Sequence, residues 1–236
     1  MVLKVPRLGA ERTNGRPPAG LVALRDPRSP VAEAYRALRT NIQFSSLDRP
    51  LRTLLITSAG PDEGKSTTLA NLAIVVAEGG TRVLVVDCDL RRASLHTLFD
   101  LDNDRGLTSL FLGDDAQPLP VQDTAVPNLQ VLTSGPLPPN PSELLGSRQM
   151  TRVLERLRDA AELVLFDAPP VVAVTDAALL APRVDGVLLV VDAGATRRDV
   201  ARRARGQLDK VNARLLGVVL NNVPLDSQMF GYYARR

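Results

Sequence analysis

The chain has 236 residues, 44% of them apolar, enough to fill the core of one large α/β domain. Its 29 basic and 26 acidic residues leave a net charge of only +3, and with no Trp and three Tyr it lacks the charge and the aromatic platforms of nucleic-acid binders, so no nucleic acid partner is expected. The single cysteine, Cys88, excludes an internal disulfide framework, and the absence of a secretory signal or a membrane-length apolar run leads to the expectation of a soluble, cytoplasmic protein.

Residues 1–28 carry Lys4, Arg7, Arg12, Arg16, Arg25 and Arg28 against Glu11 and Asp26, with Pro6, Pro17, Pro18 and Pro27 interspersed. This composition reads as a flexible basic N-terminal arm, able to rest on an anionic membrane surface. The spacing then predicts a helix over 29–44, where Ser29 caps, Pro30 occupies the first turn, and Val31, Ala34, Leu38 and Ile42 form an apolar stripe. Further along, apolar runs at 51–58, 82–87, 129–134, 162–167, 186–191 and 215–221 read as strands. They are continuous rather than alternating, as in strands buried on both faces. Segments of helical length separate most of them, including 66–80 and 147–160, while 196–210 reads as a helix with a solvated, charged face. The proline cluster at 135–141 reads as a loop. The expectation is an α/β fold with a doubly wound, mostly parallel sheet and helices on both faces, spanning 29–225 and followed by an exposed tail, 226–236.

The most informative stretch is LLITSAGPDEGKST, where strand, tight loop and helix follow one another around Ala59-x-x-x-x-Gly64-Lys65-Ser66. Loop N–H groups converging on an anion, a helix N-terminus behind them and a lysine charge are what phosphate binding requires. Gly60, Pro61, Asp62, Glu63, Gly64, Lys65, Ser66 and Thr67 are therefore assigned to a nucleotide, with Ser66 also offering its hydroxyl to Mg²⁺. The acidic pair Asp62 and Glu63 opposes an anion unless it points outward or meets a cation. In VLVVDCDLRR, Asp87 ends a strand and Asp89 follows two residues later; in LVLFDAPP, Asp167 ends another. Strand-end carboxylates face the crevice where ligands sit in such sheets. One of Asp87 and Asp89 suits Mg²⁺, the other a hydroxyl proton, and Asp167 reads as a second Mg²⁺ carboxylate. The alternative for Asp89 is a helix cap. Asn221, at the end of the last strand, suits either an adenine or a turn. The lone His96 rules out a histidine-based triad or a multi-histidine metal site, and Cys88 reads as a packing residue. This constellation points to phosphoryl transfer without naming the acceptor.

VVDCDLR, LVLFDAPP, SGPLPPNPSELL and EAYRALRTNIQFS together resemble the bacterial tyrosine kinases of the CpsD/CapB type, over roughly residues 29–233. That family shares a P-loop fold with MinD- and ParA-like ATPases. The resemblance implies that Lys65 and Ser66 bind ATP and Mg²⁺, that Asp87 and Asp89 serve the metal and the incoming tyrosine hydroxyl, and that Asp167 is the Walker B acid. It implies a homo-oligomer, such as a ring, through Glu33, Arg36 and Arg39, which match a Glu-x-x-Arg-x-x-Arg helix; an intrahelical Glu33–Arg36 pair is the other reading. It further implies trans-autophosphorylation of a C-terminal tyrosine cluster, here Tyr232 and Tyr233, and a membrane-embedded polysaccharide co-polymerase partner that activates the chain at the inner face of the membrane. Asp62 stands where the family usually has glycine, and Ala168 where it often has Thr or Ser. A rival reading is a MinD/ParA-like ATPase switch that acts on a membrane partner and transfers phosphate to water.

Overall fold

The computed structural model describes residues 2–6, 20–45, 50–112 and 117–224. Tyr232 and Tyr233 lie outside this set, as does the rest of the expected tail. In chain order the elements are β1 (Val2–Pro6), α1 (Val22–Arg25), α2 (Pro30–Phe44), β2 (Thr53–Ser58), α3 (Lys65–Ala77), β3 (Val83–Asp87), α4 (Leu95–Phe99), β4 (Gln122–Asp123), β5 (Leu129–Leu132), α5 (Pro141–Gly146), α6 (Arg148–Ala160), β6 (Leu163–Asp167), α7 (Asp176–Leu180), β7 (Gly186–Asp192), α8 (Arg198–Lys210) and β8 (Leu215–Val223). Short 3₁₀ turns lie at Leu107–Phe111 and Ala181–Arg183. One sheet runs in the order β1-β8-β7-β2-β6-β3-β5-β4, parallel throughout except where β4 meets β5.

The continuous apolar runs are explained by burial on both sides. Along β2, Leu54 and Ile56 enter a core shared with α2 and α3, while Leu55 enters a second core beneath α6 and α8. The same alternation recurs along β3, with Val83 and Val85 on the first face and Leu84 and Val86 on the second. Helix α2 begins as its residues dictate, Ser29 Oγ accepting from the Ala32 amide at 3.1 Å and Pro30 in the first turn. Its buried positions are Val31, Ala32, Tyr35, Leu38 and Ile42, so Tyr35 belongs to the stripe. Helix α3 is buried from Thr68 to Ala77, sandwiched between α2 and the sheet.

The reading of 1–28 as a flexible arm is corrected by two segments within it. Val2–Pro6 forms the edge strand β1, pairing in parallel with β8 through Val2↔Val218, Leu3↔Val219 and Lys4↔Leu220, and Val5 is fully buried. Leu21, Val22 and Ala23 are buried as well. Asn71 on α3 ties that segment down, accepting from the Ala23 amide (2.8 Å) and donating to the carbonyls of Gly20 (2.6 Å) and Thr67 (2.8 Å). Basic residues and prolines dominate the composition, but two apolar patches too short to show a period supply the burial.

Candidate active site

The parallel sheet brings the C-terminal ends of β2, β3 and β6 side by side, with Ile56 opposite Asp167 and Asp167 opposite Asp87. Between β2 and α3 the chain makes a loop in which Asp62 (φ 58°) and Gly64 (φ 82°) are left-handed on either side of Glu63. This alternation of handedness turns successive N–H groups inward, as an anion cradle requires. Gly64 is obligatory on steric grounds too, since a Cβ there would lie 2.2 Å from Asn221 Nδ2. The loop delivers Lys65 and Ser66 to the first turn of the 13-residue helix α3.

Lys65 Nζ lies 2.8 Å from Asp89 Oδ2 and 3.3 Å from Asp167 Oδ1, and the Ser66 hydroxyl donates to Asp167 Oδ2 at 2.5 Å. Asp167 is fully buried; burial pushes its carboxyl above the ordinary range, although Lys65 and Ser66 pull the other way. Burial alone would lower the Lys65 pKa, but Asp167 and Asp89 outweigh it and hold the ammonium above its ordinary value. Lys65 is thus fully charged at neutral pH.

The two acids after β3 separate in role. Asp89 lines the cleft, one oxygen on Lys65 and the other accepting from the Arg92 amide at 3.0 Å. Asp87 is buried beneath, its oxygens taken by the amides of Asp89, Ser94 and Leu95, each at 3.1 Å. Burial and then Asp167 push its carboxyl up to about 7. Asp87 therefore shapes the turn that presents Asp89. Cys88 is fully buried, and burial followed by the flanking carboxylates raises its thiol pKa well above the ordinary value, in keeping with a packing role.

The cleft has a volume of about 370 Å³ and is lined by Pro61, Asp62, Lys65, Ser66, Thr67 and Asp89 among others. The side-chain groups there able to ligate a metal are carboxylate and hydroxyl oxygens. Among the described residues no three His, Cys, Asp or Glu side chains form a metal cage. Two carboxylates and a hydroxyl that leave the remaining positions to phosphate oxygens and water are the usual protein share of a nucleotide-bound Mg²⁺, so the residues fit that ion.

Other residues around the site have partners that only the fold shows. Glu63 folds behind the loop, Oε2 accepting from the Ala59 amide at 2.8 Å and Oε1 from the Thr196 hydroxyl. Its side chain therefore faces away from a ligand. Asn221 donates to the Glu63 carbonyl at 3.0 Å, so its visible role is to brace the loop. Arg91 binds the fully buried Asp176 at 2.9 Å and Ser142 at 2.8 Å, pinning the segment after Asp89 to α5 and α7. On α2, Glu33 and Arg36 form the intrahelical pair at 3.0 Å, both partly exposed, and Arg36 also donates to the Pro27 carbonyl at 2.7 Å. Arg39 instead reaches α3, donating to the Val75 carbonyl at 2.8 Å. Tyr35 is 1% exposed, and burial raises its phenol pKa, with Thr68 opposing.

Residues 54–230 match the family model described as the CobQ/CobB/MinD/ParA nucleotide binding domain. The chain is similar to tyrosine-protein kinase YwqD of Bacillus subtilis, 43% identical over 92% of each chain. It is also similar to tyrosine-protein kinase CpsD of Streptococcus agalactiae, 35% identical over 85% of this chain and 87% of that one. The kinase domain of Escherichia coli tyrosine kinase ETK superimposes with a TM-score of 0.86 at 34% identity, covering 95% of this chain and 91% of the other. With the phosphate loop and its strand-end acids assembled as described, the chain belongs to the CpsD/CapB family of bacterial tyrosine-protein kinases, within the MinD/ParA-like P-loop nucleotide-binding class.

Proposed function

We propose that the chain transfers the γ-phosphoryl group of ATP, bound with Mg²⁺, to tyrosines in the C-terminal segment of a second copy of itself, and that this exchange regulates capsule or exopolysaccharide synthesis and export. The observation that carries the reading is the hydrogen-bonded set Lys65, Ser66, Asp89 and Asp167 at the mouth of the phosphate loop. Mg²⁺, when bound, neutralises charge on the phosphoryl oxygens. Ser66 and Asp167 would hold it, while Lys65 supplies a fixed positive charge beside the transferring group. As Lys65 turns from Asp89 to the phosphate, the freed Asp89 oxygen accepts the phenolic proton. Asp87, through its three amide contacts, keeps Asp89 aimed at the cleft.

Among the chain's three tyrosines, burial of one supports the acceptors that the resemblance implies. Tyr35 is sealed in the core between α2 and α3, leaving Tyr232 and Tyr233. Each phosphate adds nearly two negative charges to that tail, so subunits assembled through Glu33, Arg36 and Arg39 would repel one another as it fills. Among the described residues no helix is long and apolar enough to cross a membrane. The family resemblance supports a place at the inner membrane face beside an embedded co-polymerase partner. The test is mass spectrometry of the full chain after incubation with ATP and Mg²⁺, alone and with that membrane protein. Phosphate on Tyr232 or Tyr233, lost in Lys65→Ala and in Tyr232→Phe/Tyr233→Phe, is expected. ATP turnover without phosphotyrosine in both conditions would replace this reading with the ATPase switch.

A further inference from the structure

We infer that Glu63 is a positioning residue that sets the shape of the phosphate loop by latching it from behind to the β7–α8 turn. An acid at this position is paradoxical, because a carboxylate beside a bound polyphosphate opposes it. The geometry resolves the paradox. Glu63 is only 6% exposed and turned away from the cleft, and its two oxygens hold two different pieces of chain. One closes a ring within the loop by accepting from the Ala59 amide at 2.8 Å. The other accepts the hydroxyl proton of Thr196, whose oxygen itself accepts from the Asp192 amide at 3.1 Å.

The same knot takes in the end of β8. Asn221 donates to the Glu63 carbonyl at 3.0 Å, its own carbonyl accepts from the Ala193 amide at 2.9 Å, and Asn222 donates to Asp192 Oδ2 at 2.6 Å. Loop, turn and strand end are therefore one hydrogen-bonded unit, with Glu63 the side chain common to the loop and the turn. Its neighbours Asp62 and Gly64 are the left-handed residues that aim the loop amides at a phosphate. Fixing the residue between them fixes the direction of those amides before a ligand arrives, which is how preorganised donors gain affinity.

This inference rests on the nucleotide reading of the loop, and the two are separated by one titration series with MgADP on the full chain. The unsubstituted protein must bind MgADP, or the nucleotide reading itself fails. If it does, folded Glu63→Ala is expected to bind about 30-fold more weakly, and Thr196→Val about 5-fold more weakly. Glu63→Gln, which can still accept from Ala59 and reach Thr196, should recover to within about 3-fold of the parent. Because Thr196 acts on the loop through Glu63, the double variant Glu63→Ala/Thr196→Val should bind no more weakly than Glu63→Ala alone. In phosphorylation assays the Glu63→Ala loss should fall on KM for ATP rather than on kcat, which a general loss of fold would not produce. Parental affinity in folded Glu63→Ala, or losses that multiply in the double variant, would overturn the inference. Should Glu63→Ala not fold, Thr196→Val and Glu63→Gln decide it by themselves: equal, parental binding in Thr196→Val removes the latch.

Discussion

At Asp62 the family resemblance leads one to expect glycine, and the backbone there gives an aspartate a physical cost. At φ 58° it occupies the left-handed region, which aspartate tolerates better than most side chains but glycine enters freely. Its charge also lines the cleft that is to receive a polyphosphate. Asp62→Gly removes both burdens, and tightening of MgATP binding by about threefold, or ~0.6 kcal/mol, is expected from the lost charge repulsion alone. Isothermal titration reads this directly; unchanged or weaker binding would show that Asp62 is not a liability. Much of the site at this scale was legible, because Lys65, Ser66, Asp89 and Asp167 each sit at a boundary where an apolar run stops. The partnerships of Glu63 with Thr196, 133 residues away, and of Arg91 with Asp176, 85 away, were not. No local pattern encodes contacts made only after the sheet has been wound. Asp87 and Asn221 show the converse: their positions in sequence were informative, and only the fold shows that both serve the loops rather than lie open in the cleft.

Among elements, β2, β3, β5, β6, β7 and β8 were readable from their apolar runs, and α2, α3 and α6 from their length and ends. The elements that escaped are short: α5 has six residues, β1 and α7 five, α1 four and β4 two. None completes enough turns or alternations to leave a period. What keeps the central strand in register is equally invisible locally. Asp185, just before β7, accepts from the amides of Arg52 (3.0 Å) and Thr53 (2.9 Å) and from the Thr53 hydroxyl (2.7 Å) at the start of β2. Partial burial raises its pKa, but the Thr53 hydroxyl, the two amides and Arg158 outweigh it and the net shift is downward. A carboxyl held below its unfolded value stabilises the fold above that value, and the contribution fades as pH falls below 3.8 through the lower folded pKa. Asp185→Ala should therefore cost about 2 kcal/mol in urea unfolding at pH 7, with the difference from the parent shrinking below about pH 4. A gap that stayed constant into that acid range would mean that packing, not the charged hydrogen bonds, carries the contribution.

For the whole molecule, the assembly surface proposed on α2 divides into an outer and an inner part. Glu33 and Arg36 form a half-exposed pair of the kind that contributes about 0–1 kcal/mol to a monomer, so the pair is available to another subunit at little cost. Arg39 is already engaged with α3. Glu33→Lys is expected to convert an oligomer to monomers in light scattering while leaving the thermal midpoint within a few degrees; an undiminished assembly would move the interface elsewhere. The pairing of β1 with β8 bears on another matter, the order in which the protein is made. Nearly the whole chain separates these two strands, and in the sheet β1 touches no other. At about 5–20 residues per second of synthesis, the first strand must wait on the order of ten seconds or more for its partner to leave the ribosome. Until then the helices and the six intervening strands assemble without it, and β8 closes the sheet by gathering in a segment that has waited since it left the ribosome.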